Sequence, residues 1–268
     1  MNEHELILTS LLDCARHELY LKGRTLNYEQ LTFLNNALRM RAAGRPLQYI
    51  LGSTEFMGLK FKVTEGVFIP RPETEILAEA VIKRVRELKS QSVKILDIGT
   101  GSGCIAVSLA RFFPEAVITA TDISEQALNL ARENAASNGV SDRIKFIQCN
   151  ILPQYSILNT QYEIIVSNPP YVSSCDIVGL DKEVKCEPII ALDGGPDGLS
   201  FYREIIDQSP RYLKDDALLI MEIGYNQAGA VKEITESQGA FKLLETIKDY
   251  NAIDRVIVMQ NLKCKIQS

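Results

Sequence analysis

Midway along the chain, Ser167-Asn168-Pro169-Pro170-Tyr171 follows a short apolar run, and its residue types suit the handling of a planar amino group. Two consecutive prolines remove two N–H donors and stiffen the backbone, so the carbonyls there point outward in fixed directions. Asn168 adds a side-chain acceptor and donor, and Tyr171 adds an aromatic face. Such a group grips an NH₂ by both of its hydrogens. The same residues also serve as an ordinary turn after a strand.

A second motif lies upstream in Asp97-Ile98-Gly99-Thr100-Gly101-Ser102-Gly103-Cys104, with a helix expected from about Ile105. Its glycines permit a tight turn and close approach to a ligand, and a helix N-terminus offers backbone N–H groups to an anionic group. Gly101-Ser102-Gly103-Cys104-Ile105-Ala106 also fits the degenerate dinucleotide fingerprint, which keeps a nicotinamide-type ligand open. The next strand is expected to end at Asp122, where a carboxylate accepts hydrogen bonds from ribose hydroxyls. That position serves a dinucleotide and S-adenosylmethionine alike, and a cap for the helix opening near Ser124 is its plainer use. Asn150 and Ile151 follow a third strand, placed to meet an adenine ring through an amide and an apolar face.

Several chemistries are excluded by composition. His4 and His17 are the chain's two histidines, and both are expected in the first helix, so nucleophilic catalysis by a Ser-His or Cys-His pair has no base elsewhere. A metal site is not expected either. The six cysteines include no Cys-x-x-Cys pair and are read as reduced, packed thiols. The 268 residues carry 29 Lys and Arg against 34 Asp and Glu, a formal charge of −5, which argues against stable nucleic-acid binding. No apolar run is long enough to span a bilayer and the start is polar, so a cytoplasmic protein without membrane contact is expected.

The elements that position these residues alternate. Apolar runs at Val93–Ile98, Ala116–Thr121, Ile144–Gln148, Glu163–Ser167, Ala217–Ile223, Phe241–Ile247 and Arg255–Gln260 read as strands. Amphipathic stretches such as Glu125–Ser137 and Leu199–Tyr212 fill the gaps as helices. This repetition predicts an α/β fold with a mostly parallel, doubly wound sheet, whose ligand site lies at the carboxyl ends of the strands. Ahead of it, Leu6 to Leu19 read as one helix, and a second opens at Asn27 with Gln30 as its capping partner and ends at Gly44. Phe56 to Val63 with Gly58 read as a β-hairpin, and Pro72 opens a helix reaching about Leu88. The irregular stretch from Val172 to Gly198 is long enough to be a functional loop over the site.

Asp-Ile-Gly-Thr-Gly-Ser-Gly followed by Asn-Pro-Pro-Tyr resembles the class I S-adenosylmethionine-dependent methyltransferases that modify amide or exocyclic nitrogens. The resemblance is closer to the HemK/PrmC group, the glutamine methyltransferases of peptide chain release factors. It extends through Pro46–Gly52, Ile69–Glu75, Glu187-Pro188 and Ala191–Leu199. It implies a Rossmann-like methyltransferase domain with a seven-stranded sheet over residues 73–268, a helical substrate-recognition domain over 1–52, and a hairpin linker over 53–72. It further implies that Gly99, Thr100, Gly101, Ser102 and Gly103 surround the donor's methionine, with Asp122 on its ribose and Asn150 and Ile151 at its adenine. The group's usual acid and aromatic at those last two positions are replaced here. Asn168, which also borders the donor, Pro169 and Tyr171 become the catalytic group, with Pro170, Phe68, Arg71 and Thr74 near the incoming glutamine. Asp97 is expected to support the loop or to face the donor's ammonium group. The expected partner is a release factor acted on by a monomeric enzyme; a ribosomal-protein glutamine or a nucleic-acid amine are the alternative substrates.

Overall fold

A computed structural model describes residues 3–21, 25–88, 92–153 and 161–262. Four helices come first: α1 (Glu3–Leu12), α2 (Glu18–Leu21), α3 (Tyr28–Ala42) and α4 (Leu47–Leu51). They close on a small apolar core of Ile7, Ala37, Leu47 and Ile50. The expected single helix to Leu19 is broken. Asp13 adopts φ +44° and the Cys14 N–H bonds the carbonyl of Thr9, which terminates α1 in a left-handed cap and leaves His17 in the following turn. At α3 the predicted capping box is present: Asn27 Oδ1 accepts from the Gln30 N–H at 2.8 Å, and Gln30 Oε1 accepts from the Asn27 N–H at 3.0 Å.

A hairpin of β1 (Ser53–Phe56) and β2 (Leu59–Lys62) follows, turning through Met57 and Gly58, both at positive φ. Helix α5 (Pro72–Glu87) opens with proline in its first turn, as expected. Then come β3 (Lys94–Ile98), α6 (Cys104–Phe112), β4 (Val117–Asp122), α7 (Glu125–Ser137), β5 (Ile144–Gln148) and β6 (Tyr162–Ser167). Helix α8 (Ser200–Gln208), β7 (Leu213–Glu222), α9 (Ala228–Gln238), β8 (Phe241–Lys248) and β9 (Asp254–Asn261) complete the chain.

The seven strands from β3 onward form one sheet in the order β5-β4-β3-β6-β7-β9-β8. All neighbours are parallel except β9, which runs antiparallel to both β7 and β8. Successive side chains face opposite layers, and in the central strands both layers are buried, which is why they read as apolar runs, whereas β8 at the edge alternates buried and exposed. Ile95, Ile118, Ile164 and Ile220 meet α5 and α6 on one face, while Leu96, Ile165, Leu219 and Met259 meet α8 and α9 on the other. Because β3 to β5 build outward in one direction and β6 to β7 in the other, the switch point falls between β3 and β6. Among the described residues no helix is long and apolar enough to cross a membrane. The described cysteines are free thiols, and Cys264 lies outside the described residues.

The two parts are tied together. Arg41 at the end of α3 bridges Glu3 and, at 2.5 Å, Glu183, while Arg45 pairs with Glu65. The Tyr49 hydroxyl donates to the Val67 carbonyl at 2.6 Å. In α7, Asn134 clasps Lys62 of the hairpin through both backbone groups and donates to the Ser102 carbonyl at 2.9 Å, so one side chain joins the hairpin to the glycine loop.

Candidate active site

Strand register brings the polar residues level. Ile98 pairs with Thr121 and with Ser167, and Ser167 pairs with Met221. One residue further along their chains stand Gly99, Asp122, Asn168 and Glu222, which makes a row along the carboxyl edge of four adjacent strands. A cavity of about 460 Å³ opens over the switch point, a size usual for small-molecule sites.

Gly99, Thr100, Gly101 and Ser102 line it. A Cβ added to Gly99 (φ +70°) or Gly101 (φ +55°) would project into open space, so the loop is a cradle that side chains would fill. Gly103 departs from its expected place beside a ligand. It does not line the cavity, and a Cβ there would come within 2.9 Å of Ala131 Cβ in α7; this glycine lets α6 pack closely on α7. The N–H groups of the loop are largely spent internally. Those of Thr100, Gly101 and Gly103 bond the Thr121 carbonyl, Asp122 Oδ2 and the Thr100 carbonyl. Asp97 is fully buried beneath the loop and accepts from the Thr100 hydroxyl at 2.6 Å, and burial pushes its carboxyl up to about 7.

Asp122 faces the cavity with Oδ2 on the Gly101 N–H at 2.8 Å and Oδ1 on the Ser124 N–H at 2.9 Å. The cap of α7 itself is Ser124, whose hydroxyl accepts from the Ala127 N–H. Burial raises the Asp122 carboxyl. Asn150 and Ile151 line the same end, Ile151 with a left-handed φ of +56° that turns the chain back beneath β4. Ile123 and Cys149, which the sequence reading passed over, stand beside them. An apolar residue directly after a strand-terminal acid was the available signal for Ile123.

At the other end are Asn168, Pro169, Pro170 and Tyr171. Asn168 Nδ2 donates to Thr74 Oγ1 at 3.1 Å, and the Thr74 hydroxyl donates to Glu222 Oε2 at 2.7 Å. The Tyr171 hydroxyl reaches Glu222 Oε1 at 3.4 Å, and the Tyr171 carbonyl accepts from Gln227 Nε2 at 2.9 Å. Glu222 is 1% exposed, and burial pushes its carboxyl up to about 7. Sequence reasoning missed it because the expected strand runs on to Ile223; β7 in fact ends at Glu222, as β4 ends at Asp122.

The outer wall is Phe68, Arg71 and the segment after Tyr171. Arg71 stacks its guanidinium 5.0 Å over the Phe68 ring and pairs with the buried carboxylate of Glu187. Glu187 also accepts from the Ile69 N–H at 3.0 Å, which fastens the segment to the approach of α5; desolvation raises its carboxyl against the pull of Arg71. Residues 172–198 turn back on themselves, with the Val172 N–H on the Leu192 carbonyl and the Gly194 N–H on the Val172 carbonyl. A Cβ at Gly194 would lie 2.8 Å from the Pro170 carbonyl, so this glycine lets the segment rest on the diproline turn. Leu180, Val184, Pro188 and Leu192 from this segment line the cavity.

This sheet order, cradle and row define the fold of a class I methyltransferase, and residues 58–180 match the methyltransferase small domain family. Residues 2–52 match the PrmC N-terminal domain. A release factor glutamine methyltransferase of Thermodesulfovibrio yellowstonii is 39% identical over 264 residues, covering 98% of this chain and 93% of that protein. Another, of Moorella thermoacetica, is 43% identical over 219 residues, covering 82% and 76%. The chain belongs to the release factor glutamine methyltransferase family. The hMettl16 catalytic domain, solved with an RNA hairpin, superposes with a TM-score of 0.65 over 98% of this chain and 92% of that one, at 19% identity. A ribosomal protein L11 methylase from Lactobacillus delbrueckii subsp. bulgaricus gives 0.54 over 75% and 84%, also at 19%. These two share the fold alone.

Proposed function

We propose that this protein methylates the side-chain amide nitrogen of the glutamine in the Gly-Gly-Gln motif of peptide chain release factors, with S-adenosyl-L-methionine as donor. The observation that carries the reading is the row of Gly99, Asp122 and Asn168, held in a chain that matches relatives of that name over nearly its whole length. Residues 1–52 then act as the substrate-recognition domain, 53–72 as the linking hairpin, and 73–268 as the catalytic domain.

The cavity suits this donor better than a dinucleotide. A diphosphate wants free N–H groups at the loop, and three of this loop's N–H groups are already bonded. The donor's methionine would rest on Gly99, Thr100, Gly101 and Ser102. An ionised carboxylate has about four acceptor positions; two at Asp122 are used by backbone N–H groups, which leaves room for ribose hydroxyls. Asn150 and Ile151 would meet the adenine. When bound, the donor supplies an electrophilic methyl carbon on a sulfonium centre.

An amide nitrogen is a poor nucleophile because its lone pair is delocalised into the carbonyl. Asn168 Oδ1 and the Pro169 carbonyl accept its two hydrogens, which aims the nitrogen and favours the positive charge that grows on it. Prior deprotonation is then unnecessary: the methylated nitrogen carries the positive charge and sheds one of its two protons to solvent to leave the neutral N-methyl amide, and among the described residues no histidine lines the cavity. Pro170 keeps the turn rigid, Tyr171 walls the site, and Phe68, Arg71 and Thr74 border the entering side chain.

The test is incubation of the purified protein with labelled donor and a full-length release factor, followed by mass mapping. One added methyl on the Gly-Gly-Gln glutamine is expected; label entering ribosomal protein or nucleic acid instead overturns the substrate assignment. Asn168→Ala is expected to keep donor binding and lose most transfer, and near-normal turnover would remove Asn168 from the catalytic group.

A further inference from the structure

The proposed reaction needs an oxygen, not an NH₂, on the cavity side of Asn168. The two ends of an asparagine amide are almost the same shape, so only their hydrogen-bond partners decide which end faces where. Here the deciding partner is two side chains away. Glu222 is buried at the end of β7; above about pH 7 its carboxyl is ionised, and an ionised carboxylate accepts hydrogen bonds but has none to give. Thr74 Oγ1, 2.7 Å from Glu222 Oε2, therefore directs its single proton to the carboxylate. Its lone pairs are left toward Asn168, and only the NH₂ end of that side chain satisfies them, at 3.1 Å. Oδ1 is left for the cavity.

Burying a carboxylate is expensive unless hydrogen bonds offset the cost, and Glu222 accepts them from Thr74 and Tyr171. A glutamine in its place would accept or donate with equal ease and would leave the direction of the chain of bonds undetermined. The three residues come from α5, the turn after β6, and β7, far apart in sequence but brought together by the β6–β7 register. Gln227 reinforces the arrangement by holding the Tyr171 carbonyl and accepting from the Gly224 N–H.

We propose that Glu222 is a positioning residue which, through the Thr74 hydroxyl, orients the Asn168 amide so that its oxygen faces the nitrogen to be methylated. The inference rests on the methyltransferase reading for the identity of that nitrogen, whereas the orientation itself is set by the protein's own side chains.

The experiment has two arms, both on the full chain. In ¹⁵N-labelled protein, the Asn168 Nδ2 protons are identified by their loss in Asn168→Asp. They are expected to show contacts to the Thr74 side chain in the wild type and to lose them in Glu222→Gln. In steady-state methylation of a release factor at about pH 8.5, where Glu222 is ionised, Glu222→Gln and Thr74→Val are each expected to lower kcat by about 10²-fold, the scale of a misplaced transition-state hydrogen bond. Donor affinity should stay within about twofold in both, and KM within about twofold in Glu222→Gln, since Glu222 does not line the cavity. Thr74→Ser, which keeps the hydroxyl, should recover most of what Thr74→Val loses. The double variant should be no worse than Thr74→Val alone, because both break one chain of bonds. Absence of the Asn168–Thr74 contact in the wild type, full kcat in Glu222→Gln, or additive losses in the double variant would overturn the proposal. A wild type that shows the contact but methylates no release factor would overturn the substrate reading and leave the relay standing.

Discussion

Two glycines of one motif should fail in opposite ways when a methyl group is added. Gly101 and Gly103 both hold positive φ, +55° and +81°, so alanine at either position costs about 1–2 kcal/mol of backbone strain. At Gly101 the methyl meets nothing within 4 Å and enters the cavity. At Gly103 it comes within 2.9 Å of Ala131 Cβ and 3.2 Å of Ala131 Cα, and such overpacking adds about 1–3 kcal/mol. For a chain of this size, 1 kcal/mol moves Tm by roughly 2–4 °C, so Gly101→Ala should fall by roughly 2–8 °C and Gly103→Ala by roughly 4–20 °C. The decisive reading is thermal unfolding with and without S-adenosylmethionine. A donor present at a hundred times its Kd adds about 2.7 kcal/mol to the wild type, or roughly 5–11 °C. Gly103→Ala should keep that upward shift from its lowered baseline, and Gly101→Ala should lose it. An intact shift in Gly101→Ala, or a Gly103→Ala protein as stable as the wild type, would show the division between cradle and packing to be wrong.

Further expectations concern single groups. Asp122→Ala should weaken donor binding by calorimetry and cost about 1–3 kcal/mol of stability, because the Gly101 and Ser124 N–H groups lose their acceptor; unchanged donor affinity would leave Asp122 a loop-holding role only. Tyr49→Phe strips the Val67 carbonyl of a buried donor and should cost about 1–3 kcal/mol in chemical denaturation, while a neutral result would mean water replaces the hydroxyl. The pH dependence of stability carries a defined sign. Burial raises the Glu222 carboxyl from 4.5 to about 7, so between those values the native state holds a proton that the unfolded chain has released. Stability from this group therefore falls as pH rises through that window, by about 3 kcal/mol. The stability of the wild type relative to Glu222→Gln should fall by that order between pH 4.5 and 7.5 and then level off; a difference that grows with pH would refute the assignment.

Much of the fold was legible because a parallel sheet covered on both faces writes itself as short unbroken apolar runs. The β5 span at Ile144–Gln148 and the α7 span at Glu125–Ser137 agree with the expected residues at both ends. Caps with their own chemistry, the Asn27–Gln30 box and Pro72, marked helix starts for the same reason. The end of α1 was not legible: apolar spacing continues to Leu19, and Asp13 becomes left-handed through a backbone bond that leaves no mark in the pattern. Within the glycine motif nothing separates Gly101 from Gly103, since the difference lies in how near Ala131 comes from another helix. Glu222 was hidden because a lone acid ending an apolar strand looks like a surface residue until register sets it beside Asn168 and Thr74.

The ties between the N-terminal helices and the segment over the cavity also set a timetable. Cys186, whose thiol meets the Gly44 carbonyl, lies 142 residues downstream of it, and Glu183 is similarly distant from Arg41. At about 5–20 residues per second of synthesis, roughly 7–28 s pass on the ribosome between the helices and the residues of this segment that they meet. During that interval they stand on a core of Ile7, Ala37, Leu47 and Ile50, too small to be stable for long by itself. The contacts to residues 183–186 are thus among the last that synthesis makes possible for these helices, long after both partners of the Arg45–Glu65 and Tyr49–Val67 ties exist.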